Sequence, residues 1–192
     1  MTASLIDLPE IYKQDILAIN CHFACCDNNK RRQAEADAFI NFIIDFKTKG
    51  GVIDLPYGTP FFMCGDLNLV GYNHQLKTLL TGNIIDTQAF GKAQKPDWDE
   101  TDLIDVISLH ADQRMAYTWR DKKTPFWPGR LDYTICSHVN MTIEKAFTIE
   151  TNSMSQERLS KYGLLKTDTF VASDHLPKVT DFSIPVFSDK GK

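Results

Sequence analysis

An acid and an amide two residues apart, Asp66 and Asn68, follow the apolar run Phe61-Phe62-Met63-Cys64, with only Gly65 between. Four consecutive apolar residues fit a strand buried on both faces. Asp66 then stands at the strand's carboxyl end, where an unpaired carboxylate is costly. In extended backbone, residues i and i+2 share a side, which sends Asp66 and Asn68 into one cleft. The competing reading is a turn closed by local Asp and Asn caps. Three further places carry chemistry. Asp132 lies inside the strand-like Arg130-Leu131-Asp132-Tyr133-Thr134-Ile135, Asp174-His175 opens the segment Ser173–Pro177, and His22 ends an apolar stretch. Each has a plain structural alternative, a hydrogen-bonded histidine or a carboxylate paired with an arginine. Together they meet the needs of phosphoester hydrolysis. A carboxylate can take the proton of an attacking water, and an amide, a histidine and a cation can stabilise phosphoryl oxygens. An imidazole steadied by a buried carboxylate keeps its tautomer, and Asp132 with His175 fits that pairing.

The elements that must position these groups follow from periodicity. Asp15 to Phe23 reads as an apolar strand with Asn20 and His22 on one face, and Asn28 to Arg32 as a polar loop. From Gln33 to Phe46, Ala36, Phe39, Ile40, Ile43, Ile44 and Phe46 recur at helical steps, ending in a basic turn and Gly50-Gly51. With strand Phe61–Cys64 this makes a crossover unit with parallel strands. Beyond it, Tyr72–Leu80 predicts a short helix, Ile84-Ile85 a brief strand, Gly91–Asp102 an acidic surface loop and Leu103–Leu109 a helical stretch. Met115–Arg120, Arg130–Ser137, Met141–Thr151 and Lys178–Ile184 predict strands, Ser155–Tyr162 a helix, and Ser188–Lys192 a loose tail.

The 192 residues fit one domain, 43% hydrophobic and 24% charged, with a net charge of −4. No global basic footprint advertises non-specific nucleic-acid binding. No apolar run reaches the length of a membrane span, and Met1–Gln14 lacks the basic start of a signal peptide. The five cysteines are odd in number and sit mostly in apolar runs, as reduced core thiols do. Cys21-His22 with Cys25-Cys26 does not make a zinc site, because Cys21 and His22 point to opposite faces of a strand. A nucleophilic Cys64 beside His22 or His175 is disfavoured by its apolar surroundings.

In order along the chain, GDLN at 65–68, TWR at 118–120, GRLDY at 129–133 and SDHLP at 173–177 resemble the endonuclease/exonuclease/phosphatase superfamily of metal-dependent phosphoesterases. The INCHF segment at 19–23 resembles that family's His-Leu strand, with Phe23 in place of leucine. The resemblance covers residues 15–184. It implies an α/β fold like that of deoxyribonuclease I, two mixed β-sheets packed as a sandwich with helices outside. It also implies a Mg²⁺ or Mn²⁺ cofactor and a phosphoester substrate: nucleic acid, phospholipid or sugar phosphate. By the same resemblance Asp66 deprotonates the water, Asn68 holds the phosphate or that water, and His175, oriented by Asp132, stabilises the transition state. Asp174 joins Asp66 at the metal, His22 hydrogen-bonds the scissile phosphate, and Tyr133 and Trp119 pack beside the site. Arg120 and Arg130 are either contacts to substrate phosphate or partners of neighbouring acids.

One departure stands out. The family's opening strand with its asparagine, and the later strand whose glutamate is the main metal ligand, have no counterpart in Met1–Gln14. The chain is therefore expected to match the C-terminal portion of such a domain and to lack the N-terminal strands. It would expose an apolar sheet edge prone to self-association, and it would hold metal weakly. The alternative to an enzyme is an inactive remnant acting through binding.

Overall fold

The computed structural model describes residues 1–71 and 74–186. Its centre is a five-stranded mixed sheet made of β1 (Thr2–Ile6), β2 (Ile16–His22), β3 (Phe61–Asp66), β6 (Asp132–Cys136) and β4 (Ile104–Asp105), adjacent in that order. β2 and β3 are parallel, as the crossover through α1 (Asn29–Lys47) requires, and the other neighbours are antiparallel. A second, three-stranded mixed sheet is ordered β5 (Leu109–His110), β7 (Thr142–Thr148), β8 (Lys178–Ser183). Five shorter elements complete the description: α2 (His74–Thr81), α3 (Thr87–Phe90), a 3-10 turn (Thr151–Ser153), α4 (Gln156–Tyr162) and α5 (Asp168–Ala172).

Strand alternation explains the layers. Leu17, Ile19 and Cys21 of β2, Phe61 and Met63 of β3, and Tyr133 and Ile135 of β6 share one buried cluster with Ala36, Phe39, Ile40, Ile43 and Phe46 of α1. The opposite face meets the second sheet, where Phe62 and Cys136 pack with Ile143, Ala146 and Phe182. There the Phe62 and Phe182 rings stack at 5.5 Å. The molecule is an α/β sandwich of two mixed sheets with helices on the outside.

Several expectations need correction. Met1–Gln14 does hold a strand: β1 pairs with β2 from Thr2↔Asn20 to Ile6↔Ile16 and covers that sheet edge. All five of its residues are exposed, so no hydrophobic alternation marked it. Helix α1 begins four residues before Gln33, because buried Arg32 folds back to donate to the Ala24 and Cys26 carbonyls at 2.8 and 2.7 Å. Residues 103–109 are not helical. From Val106 to His110 burial alternates residue by residue, the period of a strand. Ile84-Ile85 forms no strand; the Asp37 carboxylate instead takes the amides of Ile85 and Asp86 at 3.1 and 2.9 Å. Met115–Arg120 contributes only the bridges of Trp119 to Gly129 and His175. The predicted start of α2 at Tyr72 and the tail at 188–192 lie outside the described residues.

Candidate active site

Sheet register brings the predicted residues together. His22 lies beside Asp66 across the β2–β3 pair, and Asp66 lies opposite Asp132 across β3–β6. β3 runs past the apolar residues 61–64 and through Gly65 to Asp66. Glycine is required at 65 because a Cβ there would stand 1.9 Å from the Cys21 carbonyl oxygen, with φ at +140°. The chain turns at Asn68, whose φ of 48° is left-handed. The extended i, i+2 geometry therefore does not apply between Asp66 and Asn68. The backbone N–H of Asn68 donates to Asp66 Oδ1 at 2.9 Å, and its side-chain amide donates to the Phe23 carbonyl at 3.0 Å. Asn68 thus ties β3 to the loop after His22.

His175 arrives from the turn between α5 and β8. Its Nδ1–H donates to Asp132 Oδ2 at 2.8 Å, and its Nε2 lies 3.9 Å from Asp66 Oδ2. His22 Nε2 approaches the same Asp66 oxygen at 3.6 Å. One carboxylate therefore faces two imidazoles, and one of these is oriented by a second carboxylate. Burial, with the negative charge of Asp132 adding to it, pushes the Asp66 carboxyl above the usual carboxylate range. Asp174 sits at the rim. Trp119 Nε1–H donates to its Oδ2 at 2.9 Å and, with Ser173, holds its carboxyl below the usual value. Trp119, expected only to pack, positions an acid. Tyr133 packs as expected and lies under the Arg130 guanidinium at 4.1 Å.

The two arginines take the acid-paired role. Arg130 forms a two-pronged pair with Asp105. Arg120, the candidate substrate contact, donates its Nε to Glu150 at 2.9 Å, and the two side chains are only 10% and 3% exposed. Its Nη1 reaches the Ser173 carbonyl at 3.2 Å. Nε is thus spent on Glu150 and Nη1 on the segment that carries Asp174 and His175, the acid-paired alternative of the two. Glu150 went unnoticed because nothing in its spacing names Arg120, thirty residues away.

Lys178 was missed as well. It begins β8 beneath the dyad, and its Nζ donates to the Asp132 carbonyl at 3.2 Å. Burial, reinforced by Arg130, lowers its pKa from 10.5 to about 8. A lysine depressed on folding costs stability wherever it stays charged. The cost is full below pH 8 and fades as pH rises from 8 through 10.5, where the unfolded chain binds more protons than the folded one. Lys178→Met is expected to stabilise the protein by about 1–3 kcal/mol at pH 7. Urea melts of both forms at pH 7 and pH 10 check this, since the gap should narrow at the higher pH.

Asp66 and Asp174 are the two carboxylates on which a divalent cation would draw here. Such ions favour carboxylate oxygens and retain several waters. Asp66 supplies an inner carboxylate destabilised by burial and by Asp132, which a cation would relieve, and Asp174 supplies a second carboxylate at the rim. Among the described residues, the acid–histidine group whose ligand atoms lie close enough together to hold an ion is a different one, Asp97, Asp99 and His138. It lies at the far end of the sheet. His138 spends one ring nitrogen on Asp97 at 2.8 Å and the other on Asp99 at 3.2 Å.

Fold and site define a two-sheet α/β protein with acids and imidazoles gathered at strand ends. No family model and no curated protein matches the sequence. Among solved structures the chain is similar to TDP2 of D. rerio complexed with single strand DNA product, at 15% identity and TM-score 0.49, over 88% of this chain and 57% of that one. It is similar to a mannosyl-6-phosphatase of Bacteroides thetaiotaomicron at 14% and 0.48, over 89% and 52%. Beta toxin 275-280 from Staphylococcus aureus follows at 13% and 0.46, over 77% and 46%. The chain thus spans 46–57% of the length of these structures.

Proposed function

We propose that this chain is a divalent-metal-dependent phosphoesterase that hydrolyses a phosphodiester or phosphomonoester by in-line attack of water. The observation that carries the reading is the approach of two imidazoles, at 3.6 and 3.9 Å, to one half-buried carboxylate oxygen. Both gaps exceed a hydrogen bond, so Asp66 Oδ2 keeps a lone pair for the proton of an attacking water. A carboxyl raised by burial is a better base than an ordinary surface carboxylate. Asp132 fixes the His175 tautomer with the proton on Nδ1 and steadies the ring as Nε2 hydrogen-bonds a phosphoryl oxygen. His22, open to solvent, hydrogen-bonds the same phosphate from the β2 side, and Asn68 Oδ1 orients the water. A divalent ion held by Asp66 and Asp174 would draw charge from the phosphoryl oxygens.

The substrate side is suggested by the loop between Trp119 and Gly129, whose ends are bridged beside His175. It exposes Phe126 at 70% and Trp127 at 89%, with Lys122 and Lys123 nearby in the chain. Large exposed aromatics next to lysines suit a phosphoester that carries a flat or apolar group. Trp127→Ala is expected to raise KM about tenfold for such a substrate and to leave kcat within about twofold. Steady-state kinetics separate the two parameters.

The function itself is tested by incubating the purified chain with p-nitrophenyl phosphodiesters and monoesters, with and without Mg²⁺ or Mn²⁺. Metal-dependent release of nitrophenol supports the reading. A rate indistinguishable from buffer on every ester rejects it for this chain.

A further inference from the structure

The loop joining His22 to α1 carries two adjacent cysteines that play no part in the mechanism above. Cys25 and Cys26 are both exposed, and their sulfurs lie 2.6 Å apart. Cys26 holds a left-handed φ of 63°, an uncommon conformation for a side-chain-bearing residue. The other three thiols are different. Cys21 is 3% exposed and Cys136 fully buried, with pKa values pushed up by burial to about 11 and about 12. Cys64 is half-buried and raised for the same reason. Thiolate is the reactive species, so burial silences these three.

We propose that Cys25 and Cys26 form a vicinal dithiol, a modification site that a small-molecule disulfide oxidises reversibly to an intramolecular disulfide. One cysteine, losing its proton to solvent, attacks a sulfur of the small disulfide, forming a mixed disulfide and expelling one thiolate. The neighbouring cysteine, likewise deprotonated, attacks the protein sulfur of that mixed disulfide and expels the second thiolate. The two released thiolates take up the two protons, so the chain loses two hydrogens and the small disulfide becomes two thiols. The second step is fast because the resolving sulfur is already adjacent. Neighbouring Cα atoms are about 3.8 Å apart, short of the usual disulfide span of about 4.4–6.8 Å. The ring is therefore readily reduced, as exposed and strained disulfides are. The hydrogen bond between the two thiols holds Cys26 above its ordinary pKa, so the oxidation accelerates as pH rises. In its reduced form the same pair suits a trivalent arsine oxide, whose oxygen leaves as water with the two thiol protons as two As–S bonds form.

Oxidised glutathione is the test reagent, with free thiols titrated under native conditions and intact mass recorded. The native chain should show two rapidly reacting thiols and three slow ones. After oxidised glutathione it should lose both fast thiols and two hydrogens of mass, carry no glutathione, and recover both thiols with dithiothreitol. Cys25→Ser and Cys26→Ser should each instead retain one glutathionyl group. Phenylarsine oxide should block both fast thiols of the native chain and bind neither variant stably. A native chain that keeps a stable glutathione adduct, or whose five thiols react alike, overturns the proposal. So does a chain in which neither cysteine reacts. These readouts are thiol counts and masses, so their failure leaves the phosphoesterase reading untouched.

Discussion

Replacing His175 with alanine is expected to lower kcat about a thousandfold while the protein melts within a few degrees of the parent. The imidazole makes one strong contact, Nδ1–H to Asp132 at 2.8 Å, and turns its other nitrogen toward Asp66 and the space where a phosphate would lie. Removing one preorganised donor from a transition state costs about 10²- to 10³-fold in turnover. The fold does not depend on the ring. The backbone around it is fixed by other bonds, from the Leu176 amide to Thr118 at 2.7 Å and from the Arg120 amide to Asp174 at 3.0 Å. Steady-state kinetics and a thermal melt on the same preparation decide the matter. A variant that keeps full turnover removes the dyad from the mechanism.

Asp66→Asn is expected to abolish metal-dependent turnover and, in the opposite direction, to raise the melting temperature by a few degrees. In the proposed mechanism this one change removes both the base and a metal-binding oxygen. The stability gain follows from the sign of the carboxyl's shift. Its pKa is raised on folding, so the folded state binds the extra proton, and stability falls as pH climbs from the unfolded value to the raised folded one. At neutral pH the ionised carboxylate is therefore a standing cost that an uncharged amide relieves. The side-chain carbonyl that the substitution leaves in place can still accept the Asn68 N–H, so the turn survives. Loss of activity together with loss of stability would mean that Asp66 serves the fold.

The parts legible in the sequence were those written in unbroken patterns. The apolar face of α1 and the runs before Asp66 and through Asp132 located the centre of the sandwich, and their ends located the acids. The Asp132–His175 contact was legible for a chemical reason, since a carboxylate inside a strand must find a partner. Features held by backbone alone were hidden. β1 has five exposed residues, and Asn68 sits in a left-handed turn that spacing cannot report. Residues 103–109 were read as helix because apolar residues three apart outweighed the alternation that begins at Val106. Glu150, Trp119 and Lys178 act through partners distant in sequence, at Arg120, Asp174 and Asp132, and only the folded chain names those pairs.

The most direct measurement is Mn²⁺-dependent turnover of one activated phosphodiester by the wild-type chain, Asp66→Asn and His175→Ala, purified side by side and repeated after chelation. The account predicts turnover in the wild type alone, lost with the chelator and restored by added metal. Equal rates in all three proteins, with or without metal, would contradict it.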